Sequence, residues 1–498
     1  MTTVTDPRTA RATEIDAVSS RPWRLLINGQ LRAAGGGATF TTSDPFTEQP
    51  LAQVPNAGTQ DVDAAVAAAA SAHAAWRVVP VLERARLVLQ LADAIEEHSE
   101  ELALLDTLDA GSPIINSRLD VRTALDQMRM FAGFALEMKG QTIPASNALH
   151  LTVREPVGVV AKIWPYNHPL MFGCRIAAPL IAGNPVVGKP PETAPLSSLR
   201  LGELAADIFP AGVVNIIVGD GPAVPDQLVR HPQVRRIGFI GSEPTGRGIQ
   251  RAAAEVAVKH VTLELGGKNA MVVFDDADID AAAEGAVSGM NFTWSGQSCG
   301  SNSRLLVQRG IYESVVTKVA QLVAARRIGD PLDECSQQGT MINRTQYEKS
   351  LSYIEIALQD GARLLTGGGR PEGTVFTHGY FVAPTVLADV HPESQLGQEE
   401  VFGPVLAIIP FDTEDEAIKI ANGVRYGLTA SVWTNDLNRA HRVARDFEAG
   451  HVWVNGSSMH FPNVPYGGVK ASGVGGKEEC LAELLSYTEE KVINVMYD

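Results

Sequence analysis

From residue 153 onward the chain alternates short apolar runs with helix-forming segments, and this alternation restricts the fold more than any other feature. VREPVGVVAKIWP reads as a strand, PLIAGNPVVGKP as a helix end running into a strand, and GVVNIIVGD as another strand. RRIGFIGS is a strand that hands over to the helix GRGIQRAAAE, and HVTLEL and NAMVVF are two further strands. DDADIDAAAEGAVSGM opens with acidic residues suited to a helix N-terminus. Strands alternating with helices at this spacing predict an α/β chain with a mostly parallel sheet. Ahead of them, DVDAAVAAAASAHAAWR has the alanine density of a helix. LERARLVLQLADAIEEHSEELALLDTLDAG forms a second helical pattern, stopped by Gly111-Ser112-Pro113. The C-terminal LLSYTEEKVINVMYD ends in an extended amphipathic run with no sequence neighbour to pair with, so its partner strand lies elsewhere on this chain or on another copy.

Length and charge narrow the function classes. At 498 residues the chain exceeds one small core, and roughly two to four domains are expected. A net charge of −16 argues against nonspecific nucleic-acid or membrane binding, because both need a basic surface. No apolar run reaches the roughly 18 residues of a membrane span. The first twenty residues lack the apolar core of a signal peptide and read as a mobile tail. Four widely spaced cysteines without a C-x-x-C pair suggest reduced thiols and a cytoplasmic protein, and no clustered Cys/His spacing predicts a metal site.

Four segments carry possible chemistry. G-x-G-x-x-G does not occur, yet Gly241-Ser242 joins a strand to a helix, and such a turn presents backbone N–H groups to an anion. In VVGKPPE a strand ends in Lys189 and Glu192, beyond the sheet edge where ligands bind in α/β proteins, and the carboxylate there suits the two hydroxyls of a ribose. In TLELGGK, Glu264 stands inside an apolar strand. Burial there raises its proton affinity as a general base requires, unless alternation turns it to solvent on an edge strand. In NFTWSGQSCGS, Cys299 sits among small residues that give access to its sulfur, although an isolated cysteine is equally read as a buried structural thiol.

Taken in order, these segments reproduce a family pattern. WPYNHP (164–169), GNPVVGKPPE (183–192), FIGSEPTG (239–246), LELGGK (263–268), GQSC (296–299), EEVFGP (399–404), YGLTASVWT (426–434), GHVWVN (450–455) and PYGGVKASG (465–473) make the sequence resemble the aldehyde dehydrogenase superfamily from about residue 23 to the C-terminus. The resemblance implies a non-acylating, NAD-dependent enzyme that oxidises an aldehyde to the carboxylic acid. Cys299 falls on the nucleophile, and Asn167 on the donor that, with the Cys299 N–H, receives the oxyanion; such donors contribute on the order of 3 kcal/mol each. Glu264 falls on the residue that activates water for thioester hydrolysis, a glutamate usually lacking in relatives that pass the acyl group to coenzyme A.

For the cofactor, the resemblance implies Lys189 and Glu192 at the adenine-side ribose, Glu400 at the nicotinamide ribose and Ser242 at the pyrophosphate, with Gly241, Trp164 and Phe402 in the same cleft. A carboxylate at 192 repels a 2′-phosphate, so NAD is favoured over NADP. The aldehyde tunnel is implied to be lined by Met171, Phe172, Trp294, His460, Phe461 and Tyr466. That largely apolar and aromatic set favours a hydrophobic or aromatic aldehyde. A betaine-aldehyde-type enzyme, a semialdehyde dehydrogenase and an inactive scaffold of the same fold are the alternatives. The fold implied is a Rossmann-type cofactor domain (21–138 and 157–263), an α/β catalytic domain (264–455) and a small β oligomerisation element (139–156 and 475–498) behind the tail (1–20), in a homodimer or homotetramer.

Three positions depart from the pattern. Arg175 stands where the family has a lysine, and an arginine cannot lose its proton. The Glu264-to-Cys299 separation is 299 − 264 = 35, one more than usual. Gly188 replaces a large aliphatic residue, which predicts slack beneath the adenine-side loop.

Overall fold

The computed structural model describes residues 11–497, which form an α/β structure around two large sheets, with one three-stranded and two two-stranded sheets beside them. The first sheet has eight strands in the spatial order Gln30–Arg32, Leu25–Ile27, Val214–Ile216, Val186–Lys189, Val159–Ile163, Val234–Gly241, His260–Leu265 and Gly473–Val474. Its five central strands are parallel, and antiparallel strands close both edges. These strands are continuous apolar runs because helices cover both faces, as in Val159–Ile163, where every residue is buried. From Val159–Ile163 the chain steps outward twice in one direction, then returns to place Val234–Gly241 on the other side and continues away. That reversal opens a crevice at the carboxyl ends of Val159–Ile163 and Val234–Gly241, the usual ligand site of an open α/β sheet.

The second sheet has seven strands in the order Arg363–Thr366, Thr385–Ala388, Val405–Phe411, Arg304–Gln308, Ala270–Val273, Thr429–Trp433 and His451–Val454, parallel except at the first. The chain passes between the two sheets in the four residues from Gly266 to Asn269. Thr488–Val495 pairs antiparallel with Leu149–Pro156 over eight residues, and Thr142–Ile143 adds a third strand. This is the partner for the C-terminal run, and it lies on the same chain.

Several local expectations change. VREPVGVVAKIWP is two strands in different sheets, because Gly158, at φ 117°, breaks it after Pro156. The long helical pattern splits at His98 into Val81–Glu97 and Ser99–Ala110. Residues 11–20 of the predicted tail belong to the fold: Ala12–Ser19 is a helix held by the Trp23 indole N–H, which donates to the Val18 carbonyl at 3.1 Å, and by the buried Arg11–Asp44 pair at 2.9 Å. Residues 1–10 of that tail lie outside the described residues. Among the described residues no helix is long and apolar enough to cross a membrane, and no group of His, Cys, Asp or Glu is placed to hold a metal ion.

Candidate active site

Two chambers meet between the sheets. The larger, about 790 Å³, runs along the carboxyl edge of the first sheet, and it is lined by Trp164, Asn167, Lys189, Glu192, Gly241, Ser242, Glu400 and Phe402. The smaller, about 370 Å³, is lined by Met171, Phe172, Trp294, His460, Phe461 and Tyr466. Phe172, Ile240, Glu264, Leu265 and Cys299 belong to both walls, so the thiol and the glutamate stand at the junction. The fold thus brings the residues proposed from the sequence for catalysis, cofactor and tunnel to the walls of these two adjoining chambers.

Cys299 approaches the junction from the second sheet, in the loop ahead of Arg304–Gln308. Asn291 and Ser295 flank a short helical turn, Phe292–Trp294, in left-handed backbone. Gly296 follows at φ 67°, where a side chain would collide with the Gly403 carbonyl; close backbone approach therefore explains this glycine, rather than access to the sulfur. Asn269 anchors the loop, donating to the carbonyls of Cys299 at 2.7 Å and Ser301 at 2.9 Å. The Cys299 carbonyl is therefore occupied, while its N–H has no hydrogen-bond partner among the described residues. Cys299 remains partly accessible. Burial, then the nearby Glu400 charge, pushes its thiol up to about 12, with the Tyr466 hydroxyl and Arg175 opposing.

Asn167 follows the strand Val159–Ile163, buried, and its side-chain oxygen has no hydrogen-bond partner. Glu264 ends His260–Leu265, which is flanked on both sides by other strands, so the solvent-facing edge reading is wrong. One carboxylate oxygen of Glu264 accepts from the Gly468 N–H at 3.2 Å and the other is unpartnered. Burial, then the Glu478 charge, holds its proton affinity well above the usual carboxylate range.

In the larger chamber Lys189 donates to one Glu192 oxygen at 2.7 Å, leaving the other oxygen free. Ser242 precedes the helix Glu243–Val256 without capping it, its hydroxyl bonding Thr245 at 2.8 Å, so the first helical N–H groups stay open to an anion. Glu400 accepts from the Gly267 N–H at 2.9 Å, and a side chain at Gly266 would displace that carboxylate. Phe402 holds a left-handed backbone at φ 57°. The expected slack at Gly188 is absent: the Trp164 indole fills it, and a side-chain carbon there would come within 2.7 Å of that ring.

Aldehyde dehydrogenase family sequences match this chain over residues 32–493. The chain belongs to the aldehyde dehydrogenase family.

Two relatives and one solved structure show the breadth of the likeness. The aldehyde dehydrogenase tropH of Talaromyces stipitatus is 43% identical over 480 residues, covering 95% of this chain and 93% of that protein. A betaine aldehyde dehydrogenase of Cereibacter sphaeroides is 42% identical over 473 residues, covering 94% and 96%. The NAD+ complex of an aldehyde dehydrogenase from Bacillus cereus superposes with a TM-score of 0.93 at 40% identity, covering 97% of this chain and 98% of that one.

In this aldehyde dehydrogenase the smaller chamber is more polar than the six residues named from the sequence suggest. Asp120, Asp126, His168, Arg175, Glu478 and Glu479 share its wall. Arg175 donates to Glu478 and, at 2.6 Å, to Glu479, and the second Glu479 oxygen bonds His460 at 3.0 Å. Burial disfavours ionising Glu479, but His460 and Arg175 outweigh it and take the carboxyl down to about 2. The acids of this wall come from the helix Ile114–Gly133, ahead of every motif, and from Glu478 and Glu479, just beyond the last one. Two missed residues had a local signal: Asn269 stands directly after LGGK, and His168 lies within WPYNHP, next to Asn167.

Proposed function

We propose that this aldehyde dehydrogenase oxidises a hydrophobic or aromatic aldehyde to the carboxylic acid with NAD. The observation that carries the reading is the junction: one partly accessible thiol and one buried carboxylate line both chambers at once. The larger chamber has the size of a cofactor site, and its donor set fits a dinucleotide. Glu192 and Glu400 supply acceptors for ribose hydroxyls, and the open helix end after Gly241 supplies donors for phosphate. Bound there, NAD accepts the hydride. NAD complexes among similar structures support this choice, and the Glu192 carboxylate disfavours a 2′-phosphate.

The chain's own groups account for the remaining steps. Cys299 keeps its proton at neutral pH because burial raises its pKa, so a base must take that proton before sulfur attacks the aldehyde carbon. Glu264 is the adjacent base. The Asn167 amide and the unpartnered Cys299 N–H receive the oxyanion. After hydride loss leaves a thioester on Cys299, Glu264 releases its first proton to solvent and then draws one from water, which attacks the acyl carbon; the C–S bond breaks, the thiolate regains that proton and the acid leaves.

Arg175 bears on the substrate. Its guanidinium is already bound by two carboxylates, so it has no charge to offer the acid end of a semialdehyde. A betaine-type substrate is the second reading, supported by the aromatic lining beside Asp120 and by the betaine aldehyde dehydrogenase relative. NADH production should appear with aromatic or long-chain aldehydes and disappear in Cys299→Ala. A quaternary-ammonium aldehyde preferred over all others would replace the first reading with the second. Turnover by Cys299→Ala would remove the mechanism.

The three-stranded sheet suggests a homodimer or homotetramer. Thr488–Val495 is an edge strand exposing Val492, Ile493 and Val495, a surface that invites another copy. Ile493→Asp should lower the mass seen by light scattering; an unchanged mass would place the contact elsewhere.

A further inference from the structure

We propose that His168 and Asp120 form a hydrogen-bonding station in the smaller chamber that selects aldehydes bearing a hydroxyl group. This rests on that chamber being the aldehyde site, as read above. His168 follows Asn167 directly, and both His168 and Asp120 line the chamber. The imidazole Nδ1 lies 2.7 Å from Asp120 Oδ2, with both side chains buried. A carboxylate only accepts, so Nδ1 carries the hydrogen, and in the tautomer that this bond fixes Nε2 presents a lone pair. No hydrogen bond reaches Nε2 among the described residues. The ring is held in place by Phe172, edge-on at 5.6 Å, and by Trp294, tilted at 5.2 Å. Trp294 itself carries a buried indole N–H without a partner.

A chamber wall with a fixed acceptor matches a group that donates a hydrogen bond. A hydroxyl does so. A methyl group of similar size leaves the acceptor desolvated and unpaired. A quaternary ammonium has no N–H to give Nε2, and a carboxylate meets both that lone pair and the Asp120 charge. An alcohol or phenol remote from the reacting carbonyl is therefore the substituent this wall recognises. Asp120 acts through His168, fixing its tautomer.

The test compares 3- and 4-hydroxybenzaldehyde with 3- and 4-methylbenzaldehyde, taking the ratio of kcat/KM within each enzyme so that a general loss of activity cancels. The wild type should favour the hydroxyl member of at least one pair by about tenfold or more, as one net hydrogen bond implies. His168→Phe should bring the ratio to about one. Asp120→Asn, which preserves shape but no longer dictates which ring nitrogen is protonated, should lower it as well. Equal use of both members of each pair by the wild type, or a hydroxyl preference retained in both variants, would overturn the proposal. Turnover of the four benzaldehydes tests the aromatic-aldehyde reading separately, and its absence with all four, together with oxidation of other aldehydes, would sink that reading and this inference with it.

Discussion

Arg175 donates to Glu479 at 2.6 Å while its other terminal nitrogen is bound to Glu478, so one guanidinium is clamped between adjacent carboxylates in the wall beside Cys299. All three side chains are buried. Removing one member of such a cluster leaves uncompensated charge, and Arg175→Met should destabilise the fold by about 3–5 kcal/mol. Arg175→Lys should recover only part of this, because an ammonium lacks the planar fork that reaches both acids. Urea denaturation midpoints check both, and a loss under about 1 kcal/mol for Arg175→Met would show that the cluster is not coupled to stability.

Asn167 should matter to rate rather than to the fold. Its side-chain oxygen has no hydrogen-bond partner, so Asn167→Ala removes little that holds the loop, which His168 and Leu170 tie to Asp120 and Asp106. Loss of one oxyanion donor should cut kcat by about 10²–10³ with the melting temperature nearly unchanged. A tenfold effect or less would exclude Asn167 as an oxyanion donor.

Glu264 links catalysis to pH. Its folded proton affinity is raised by burial and Glu478, so its carboxylate forms only above the ordinary carboxylate range, and if it activates water, turnover should climb with pH above that range. A raised folded pKa stabilises the fold below the unfolded value and loses that stabilisation as pH rises through the folded value. Glu264→Gln should therefore be at least as stable as the wild type at pH 8, while an acyl group accumulates on Cys299, visible by mass spectrometry of the intact protein. Steady turnover without acyl-enzyme would rule out the water-activating role.

Lys268 is fully buried with an unpartnered ammonium, and burial, followed by Arg304, depresses it to about 7. A depressed lysine stabilises fully only above its unfolded pKa, and that contribution falls away as pH drops toward the folded value of about 7. Lys268→Met should consequently raise the melting temperature at pH 7, and the gain should shrink by pH 10. A gain independent of pH would point to packing instead of charge.

The motif segments were readable because their chemistry is local. A strand followed by Gly241-Ser242, a strand ending in Lys189 and Glu192, and a cysteine among small residues each announce a ligand edge within a few residues. The parallel strands were readable for the same reason: burial on both faces demands uninterrupted apolar runs. Local pattern also misled. VREPVGVVAKIWP is uniformly strand-like, yet Gly158 divides it between two sheets, and Gly188 reads as slack although the Trp164 ring occupies the space.

What the sequence determined by itself is the α/β alternation, which rests on short-range spacing, and the family, which the ordered motifs carry and from which the residues lining the larger chamber follow. The tertiary structure alone decided the character of the smaller chamber's wall. Asp120 comes from a helix before the first sheet's central strands, and Glu478 and Glu479 come from the segment after its last strand, and folding brings them beside His168, Arg175 and Cys299. Buried charges declare themselves only through their partners, and here the partners are far apart in the chain: 48 residues separate His168 from Asp120, and 303 separate Arg175 from Glu478.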